Sequence, residues 1–189
     1  MATSRCVRPA VAAVSAALLV SCSHSGIQPS ASTTSAVTTT TSAAATNAKG
    51  RPTVTFDPCT QIPASVIAQQ KLDRRPPKPN RSSDGDIENN TCGYLAQKDY
   101  GVTVAASNYT LDMDKKAYPD STELEINGRR ARSFYLFEGN TDTCAIDVEA
   151  PFGVYGVKID STSSKFGEFP DCLAAARAHL DAFLPHLPA

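Results

Sequence analysis

Apolar side chains near the start of the region 51–189 recur at helical spacing. Ile62, Val66 and Ile67 fall on one side of a helix, which predicts a helix over Pro63–Leu72. Before it stands Asp57-Pro58, a residue type that caps helix N-termini followed by the proline that suits the first helical position. A helical turn is therefore expected there as well.

The C-terminal end has the strongest helical pattern. Pro170–Leu184 reads as an amphipathic helix, and Pro185 is expected to end it. The side predicted to face the core carries Leu173, Ala176, Leu180, Phe183 and Leu184.

Between these helices apolar and polar residues alternate, which is typical of strands. Arg74–Asn90 is the exception, because prolines and charged residues dominate it, and a loop is expected there. Leu111–Asp120 is expected to be irregular or a brief helix. The predicted strands are Cys92–Gln97, Val102–Tyr109, Thr143–Glu149 and Gly153–Asp160, together with the hairpin described next.

Thr122–Phe137 predicts a β-hairpin. Asn127-Gly128 is the preferred pair for a two-residue type I′ turn, since both positions need a positive φ. The turn fixes the register and puts two Glu–Arg pairs on one face. The opposed residues are then Ile126 with Arg129, Glu125 with Arg130, Leu124 with Ala131 and Glu123 with Arg132.

The order of elements predicts the fold class. Strands framed by helices indicate an α+β domain, with an antiparallel sheet and N- and C-terminal helices packed on it. This single domain is expected to span residues 51–189.

The first residues of the chain are typical of an export signal. Arg5 and Arg8 precede the apolar stretch Ala10–Val20, which has the length of a signal-peptide core. The stretch ends in Leu19-Val20-Ser21-Cys22, which resembles the lipobox of bacterial lipoproteins. Residues 1–21 are then a lipoprotein signal peptide, and Cys22 carries an S-diacylglycerol and an N-acyl group. An ordinary signal peptide with a chance cysteine, or an uncleaved anchor, is the alternative.

Residues 22–50 are predicted to be the lipidated cysteine followed by a flexible tether. Ser, Thr and Ala dominate this segment, and such a composition cannot bury enough apolar surface to fold. O-linked sugars on the tether are an open alternative to a bare linker.

The charge of the whole chain argues against one class of partner. The 189 residues carry 18 basic and 19 acidic side chains, a formal net charge of −1. Nucleic-acid binding usually requires a basic domain or stripe, so no nucleic-acid partner is expected. No apolar run reaches the length of a membrane-spanning helix.

Four cysteines in the predicted domain indicate two disulfides. They are even in number, far apart and in an exported chain. Of the three possible pairings, Cys59–Cys92 and Cys144–Cys172 are favoured, because each would join a helix to a strand. Zinc is the rival interpretation, but no closely spaced cysteine pair exists.

No catalytic string identifies an enzyme. The nucleophile elbow, zinc-helix, serine–lysine and phosphate-loop motifs are missing from the sequence. His179 is expected at the edge of the buried helix face, in a structural or solvent-facing role, and His186 is expected to be exposed. Asp84-Gly85-Asp86-Ile87-Glu88 starts like a calcium loop but lacks its glycine and glutamate. No metal or cofactor is expected.

Several of these motifs together resemble a family of actinobacterial lipoproteins whose shared domain has no assigned activity. Small mycobacterial lipoproteins of the LprB/LprC type are the likeness suggested. The motifs are the lipobox, the tether, Phe56-Asp57-Pro58-Cys59, Cys92-Gly93-Tyr94, Asn127-Gly128-Arg129 and Cys172. The arrangement is also similar to the PsbP/Mog1-like fold. That resemblance implies a binding or sensing module with a groove between sheet and helices.

The expected function is therefore that of a lipid-anchored protein on the extracytoplasmic face of the cell membrane. A non-enzymatic module that binds a small molecule, a glycan or an envelope protein is preferred. The alternatives are an accessory subunit of an envelope transporter or sensor kinase, and an envelope hydrolase whose residues are scattered in sequence.

Overall fold

The computed structural model describes residues 45–98 and 100–188. The predicted signal peptide, Cys22 and most of the tether lie outside the described residues and stay predictions. None of the helices in the described ranges is both long and apolar enough to cross a membrane.

A seven-stranded antiparallel sheet forms the centre of the fold. The spatial order of its strands is β1-β2-β3-β7-β6-β5-β4, so β7 lies between β3 and β6. The strands are β1 Lys78–Asp84, β2 Ile87–Leu95, β3 Tyr100–Ser107, β4 Thr122–Ile126, β5 Arg129–Phe137, β6 Asn140–Ala150 and β7 Gly153–Ser161.

Within the described residues four α-helices accompany the sheet, and the predicted α+β class is confirmed. Three of them belong with the face of the sheet that carries the core, and α3 covers part of the opposite face near β5 and β6. The helices are α1 Pro58–Gln61, α2 Ala64–Gln69, α3 Leu111–Ala117 and α4 Cys172–Phe183, followed by a short 3₁₀ turn at Leu184–His186.

Both favoured disulfides are confirmed. Cys59–Cys92 joins α1 to β2, and Cys144–Cys172 joins β6 to the first residue of α4. On the chain-entropy account, closing loops of this length stabilises the fold by about 3–4 kcal/mol each. The two bonds thus fasten a helix to each half of the sheet.

The hairpin prediction is confirmed in turn and register. Asn127 and Gly128 have φ of 51° and 77°, and every predicted opposed pair from Ile126–Arg129 to Glu123–Arg132 is present. The ion pairs differ from the two predicted Glu–Arg pairs at Arg130. Glu123 binds Arg132 at 3.1 Å, but Arg130 lies 3.6 Å from Glu149 of β6 and 3.8 Å from Glu123. Because Arg130 stands between β4 and β6, carboxylates on both sides compete for it.

The loop predicted over Arg74–Asn90 is wrong, because most of it forms β1 and the start of β2. All seven residues of β1 are exposed, so the strand shows no apolar alternation that could indicate it. Pro79 is tolerated because β1 is an edge strand, where a missing N–H costs no ladder bond. The strand exists through its pairing with β2 across the Gly85-Asp86 turn.

The helix predictions are confirmed with shorter bounds. The helix predicted over Pro63–Leu72 is α2, and Lys71 just beyond it has φ of 57°, which ends the helical path. His186, expected to be exposed, is half-buried, because the 3₁₀ turn after α4 keeps it against the domain.

The sheet has two distinct ends. Asn47 donates to the carbonyl of Asp86 at 3.0 Å, and Asn108 donates to the carbonyl of Pro52 at 3.1 Å. The N-terminal segment therefore meets the sheet where β1 ends, β2 begins and β3 ends. We call this the proximal end. The distal end, reached by strands up to about 30 Å long, carries the β2–β3 and β5–β6 turns.

Candidate functional site

A cavity of about 480 Å³ opens at the distal end of the sheet, between α2, the β2–β3 turn, the loop before α4 and α4 itself. Its volume falls within the range of small-molecule sites. The lining combines amide, aromatic and charged side chains: Gln69, Gln70, Lys71, Gln97, Lys98, Tyr100, Glu168, Phe169 and His179, with Ala96, Gly167 and Ala178.

His179 lies at the base of this cavity with both ring nitrogens occupied. The Tyr100 hydroxyl is 2.9 Å from Nε2, and Oε1 of Gln70 is 3.0 Å from Nδ1. The amide oxygen of Gln70 can only accept, so Nδ1 carries the proton and Nε2 accepts from Tyr100. Burial lowers the pKa of His179 to about 4, and the ring is neutral at pH 7.

The sequence placed His179 at the edge of the buried helix face, whereas only 1% of it is exposed. α2 and β3 close over it, and neither packing contact is encoded in α4. The structural role expected for His179 agrees with its contacts, since it ties α2, β3 and α4 together through two hydrogen bonds.

Tyr100 is not prepared to act as a nucleophile. Burial, with a smaller contribution from the carboxylate of Glu168, raises the pKa of Tyr100 to about 12. A nucleophile is normally activated by a lowered pKa or by a base free to take its proton. The base next to Tyr100 has its own pKa depressed, so the pair stays neutral and is not set up for proton transfer.

Polar groups at the cavity mouth remain available to a ligand. Lys71 pairs with Glu168 at 3.6 Å across the opening, and both side chains are mostly exposed. The Nε2 of Gln70 donates no hydrogen bond within residues 45–98 and 100–188, and Lys98 forms no ion pair there. The mouth therefore offers an amide donor and an ammonium group beside the rings of Tyr100 and Phe169.

A sequence profile of the family described as "Protein of unknown function (DUF3558)" matches residues 17–186, most of the chain. The chain belongs to the DUF3558 family. No curated protein and no solved structure matches it. The suggested likeness of this DUF3558 domain to the PsbP/Mog1-like fold stays a prediction.

Among the residues that sequence reasoning singled out in this DUF3558 chain, His179 lines the cavity, whereas the disulfide cysteines and the acidic turn lie outside it. The four disulfide cysteines stabilise the scaffold around it, and none of them lines it. Asp86 of the acidic turn binds Arg51, and Glu88 accepts from the N–H of Val54 at 3.3 Å. These carboxylates therefore hold the N-terminal segment at the proximal end. Residues 45–98 and 100–188 contain no cluster of metal-ligating side chains.

A second polar cluster was missed by sequence reasoning. On the face under α3, the carboxyl groups of Asp114 and Asp147 are close neighbours, and each influences the pKa of the other. Burial raises the pKa of Asp114 to about 6. Burial, with the neighbouring Asp114, raises the pKa of Asp147 well above its usual value. Arg132 lies near the pair and lowers the pKa of Asp114 in part.

A carboxyl pair that shares a proton can serve acid–base chemistry, but this one is covered. Only 2% of Asp114 is exposed, and neither aspartate lines the distal cavity. The only sequence signal was an aspartate within an otherwise apolar stretch of β6. Nothing in the sequence paired it with Asp114.

Proposed function

We propose that this DUF3558 chain is a lipid-anchored lipoprotein of the extracytoplasmic face of the cell membrane, and that its domain binds a ligand without transforming it. The lipobox-like Leu19-Val20-Ser21-Cys22 supports the anchor. Two disulfides support an oxidising compartment. The resemblance to actinobacterial lipoproteins supports a bacterial envelope.

The observation that carries the binding function is the distal cavity. It lies at the end of the sheet opposite the N-terminal segment, so a ligand could enter from the side away from the anchor. Amide groups next to the rings of Tyr100 and Phe169 suit a hydroxyl-bearing ligand, because rings pack against its C–H faces and amides bond its hydroxyls. We therefore favour a glycan over a hydrophobic ligand.

The hydrolase alternative has less support. Tyr100 and His179 are within hydrogen-bonding reach, but the tyrosine keeps its proton and the histidine has no free nitrogen. Asp114 and Asp147 have perturbed pKa values but lie beneath α3, away from the cavity. Neither pair combines an activated group with access for a substrate.

A glycan array probed with the purified full chain tests this proposal. We expect binding of at least one envelope glycan fragment, and a loss of about tenfold or more in Phe169→Ala, which removes an aromatic wall of the cavity. Phe137→Ala, an aromatic substitution at the other side of the distal end, is the matched control. Binding that survives Phe169→Ala unchanged, or no binding to any fragment, would contradict a glycan site here.

One further observation favours the accessory-subunit alternative. Tyr135 and Phe137 are 38% and 59% exposed, which is an unusually large exposure for neighbouring aromatic side chains. A protein partner would explain this exposure, and such a partner does not exclude the glycan site.

A further inference from the structure

The exposed aromatic residues of β5 lie on a strand edge that has no neighbour. β4 pairs with β5 only from Ile126–Arg129 to Thr122–Ser133, while β5 continues to Phe137. A two-residue hairpin starts from a hydrogen-bonded pair of residues. The main-chain N–H and C=O groups of every second residue along the strand then point to the same edge of that strand. The N–H and C=O of Tyr135 therefore point to the outer edge, where no described residue bonds to them.

A preformed groove of about 540 Å³ runs along this edge, between residues 117–122 and residues 133–141. Tyr118 is fixed by stacking on Phe134, with ring centroids 4.2 Å apart. Ser121 is fixed by Arg132, whose Nη1 donates to its carbonyl at 3.3 Å and its hydroxyl at 3.0 Å. The segment before β4 is thus held beside β5 without pairing with it.

The groove has a distinct chemistry. Among residues 45–98 and 100–188, Tyr135 and Phe137 are the large hydrophobic side chains that are exposed, and both line this groove. Its charged lining residues are Asp120 and Glu138, and no lysine or arginine lines it. An occupant with apolar side chains and positive charge would complement it.

We propose that the outer edge of β5 at Tyr135–Phe137 binds an extended, cationic peptide segment of another protein, which adds to the sheet in line with β4. Main-chain bonds to Tyr135 would orient the segment, and alternate apolar side chains would pack against the exposed rings. The location of this partner in the cell envelope rests on the proposed function. The binding surface on β5 is argued independently of it.

A second copy of the chain fits the edge less well. Symmetric pairing of two β5 edges runs antiparallel, so it turns one copy end for end. The proximal ends would then point in opposite directions along the strands. Each copy would also bring its own Asp120 and Glu138 to the shared edge, where like charges repel.

The experiment uses three short synthetic peptides with the oxidised full chain. The first alternates valine and threonine between terminal lysines. The second has glutamates in place of the lysines, and the third is the lysine peptide with its β5-facing amides N-methylated. We expect the lysine peptide to bind by fluorescence anisotropy and to protect the Tyr135 amide from hydrogen exchange. The other two should bind at least about tenfold more weakly.

Variants separate this site from the distal cavity. Phe137→Ala should weaken the lysine peptide by about tenfold without lowering the melting temperature, because the ring is exposed. Phe169→Ala should leave peptide binding unchanged. Equal binding of the N-methylated peptide, protection of another strand, or no binding of the lysine peptide would each overturn the proposal. A failed glycan screen beside positive peptide binding would overturn the glycan site alone.

Discussion

Tyr100 and His179 meet where neither polar group can reach water. The hydroxyl of Tyr100 donates to Nε2, and the opposite nitrogen of the ring donates to Gln70. Removing one partner from a buried hydrogen bond leaves the other with the full cost of its lost hydration. A substitution that removes only the Tyr100 hydroxyl therefore measures what these hydrogen bonds contribute to the free energy of unfolding.

Tyr100→Phe is expected to lower the free energy of unfolding by about 1–3 kcal/mol, because it leaves Nε2 of His179 buried without a donor. Urea unfolding followed by circular dichroism measures the change. Tyr135→Phe is the matched control, since the Tyr135 hydroxyl forms no hydrogen bond within the described part of the chain. An equal loss in both variants would show that the hydrogen bond to His179 contributes nothing.

His179 also gives stability a dependence on pH. Its pKa in the folded chain is about 4, below the ordinary value of 6.5, so the unfolded chain binds more protons between these values. Its contribution is fully present above pH 6.5 and is lost as the pH falls towards 4. The raised pKa values of Asp114 and Asp147 under α3 change stability with pH in the opposite direction. Variants are therefore needed to separate the contribution of His179 from that of the aspartates.

Single residues were the part of the candidate site that the sequence could not place. Gln70, Tyr100 and His179 come from α2, β3 and α4, and no local pattern encodes the contact between them. Asp114 and Asp147 likewise meet only because α3 packs on β6. Buried polar groups depend on tertiary packing, whereas sequence periodicity reports which residues are apolar.

At the scale of elements, α3 is held to the sheet across the Asp114–Asp147 pair. Thr110 caps the helix by accepting from the N–H of Met113 at 3.4 Å, but the helix has only seven residues. The raised pKa values mean that the folded chain binds more protons than the unfolded chain above pH 3.8. Both groups therefore favour folding at low pH. The contribution of Asp114 is lost as the pH rises through about 6, and that of Asp147 is lost at a pH well above the usual pKa of an aspartate.

Asp147→Asn is expected to raise the free energy of unfolding at pH 8 by about 1 kcal/mol, because it removes a carboxyl group whose ionisation is disfavoured in the folded chain by burial and by Asp114. A tenfold shift in a protonation equilibrium corresponds to about 1.4 kcal/mol. Urea unfolding at pH 7 and pH 8 measures the change, because His179 does not titrate in this pH range. Exposed Asp120→Asn is the control. If the free energy of unfolding changed with pH in the same way in Asp147→Asn and in the parent chain, the ionisation of Asp147 would not affect stability.

Elements differed in how far the sequence encoded them. The β4–β5 hairpin was predictable residue by residue, because Asn127-Gly128 fixes the turn and the turn fixes the register. β1 was not, because a fully exposed edge strand has no apolar face, and its two-residue turn lies in a charged, proline-rich segment. Patterns identify elements that bury an apolar face, and they miss an exposed strand held mainly by its main-chain pairing.

For the whole molecule, the two ends of the sheet give the fold a direction. The N-terminal segment is bound at the proximal end through Asn47 and Arg51, and both the cavity and the β5 groove open at the distal end. Both candidate sites therefore lie at the end of the sheet opposite the point where the N-terminal segment joins it.

Cys22→Ala is expected to abolish labelling by a fatty-acid probe and to release the chain from the membrane fraction, because the proposed acyl chains on Cys22 would be its attachment to the membrane. Cys6→Ala, a cysteine within the predicted signal peptide, is the matched control and should stay labelled and membrane-bound. The released variant should still form both disulfides and bind the lysine peptide, since the domain has its own core. Labelling that persists in Cys22→Ala would place the acyl group elsewhere and overturn the proposed anchor.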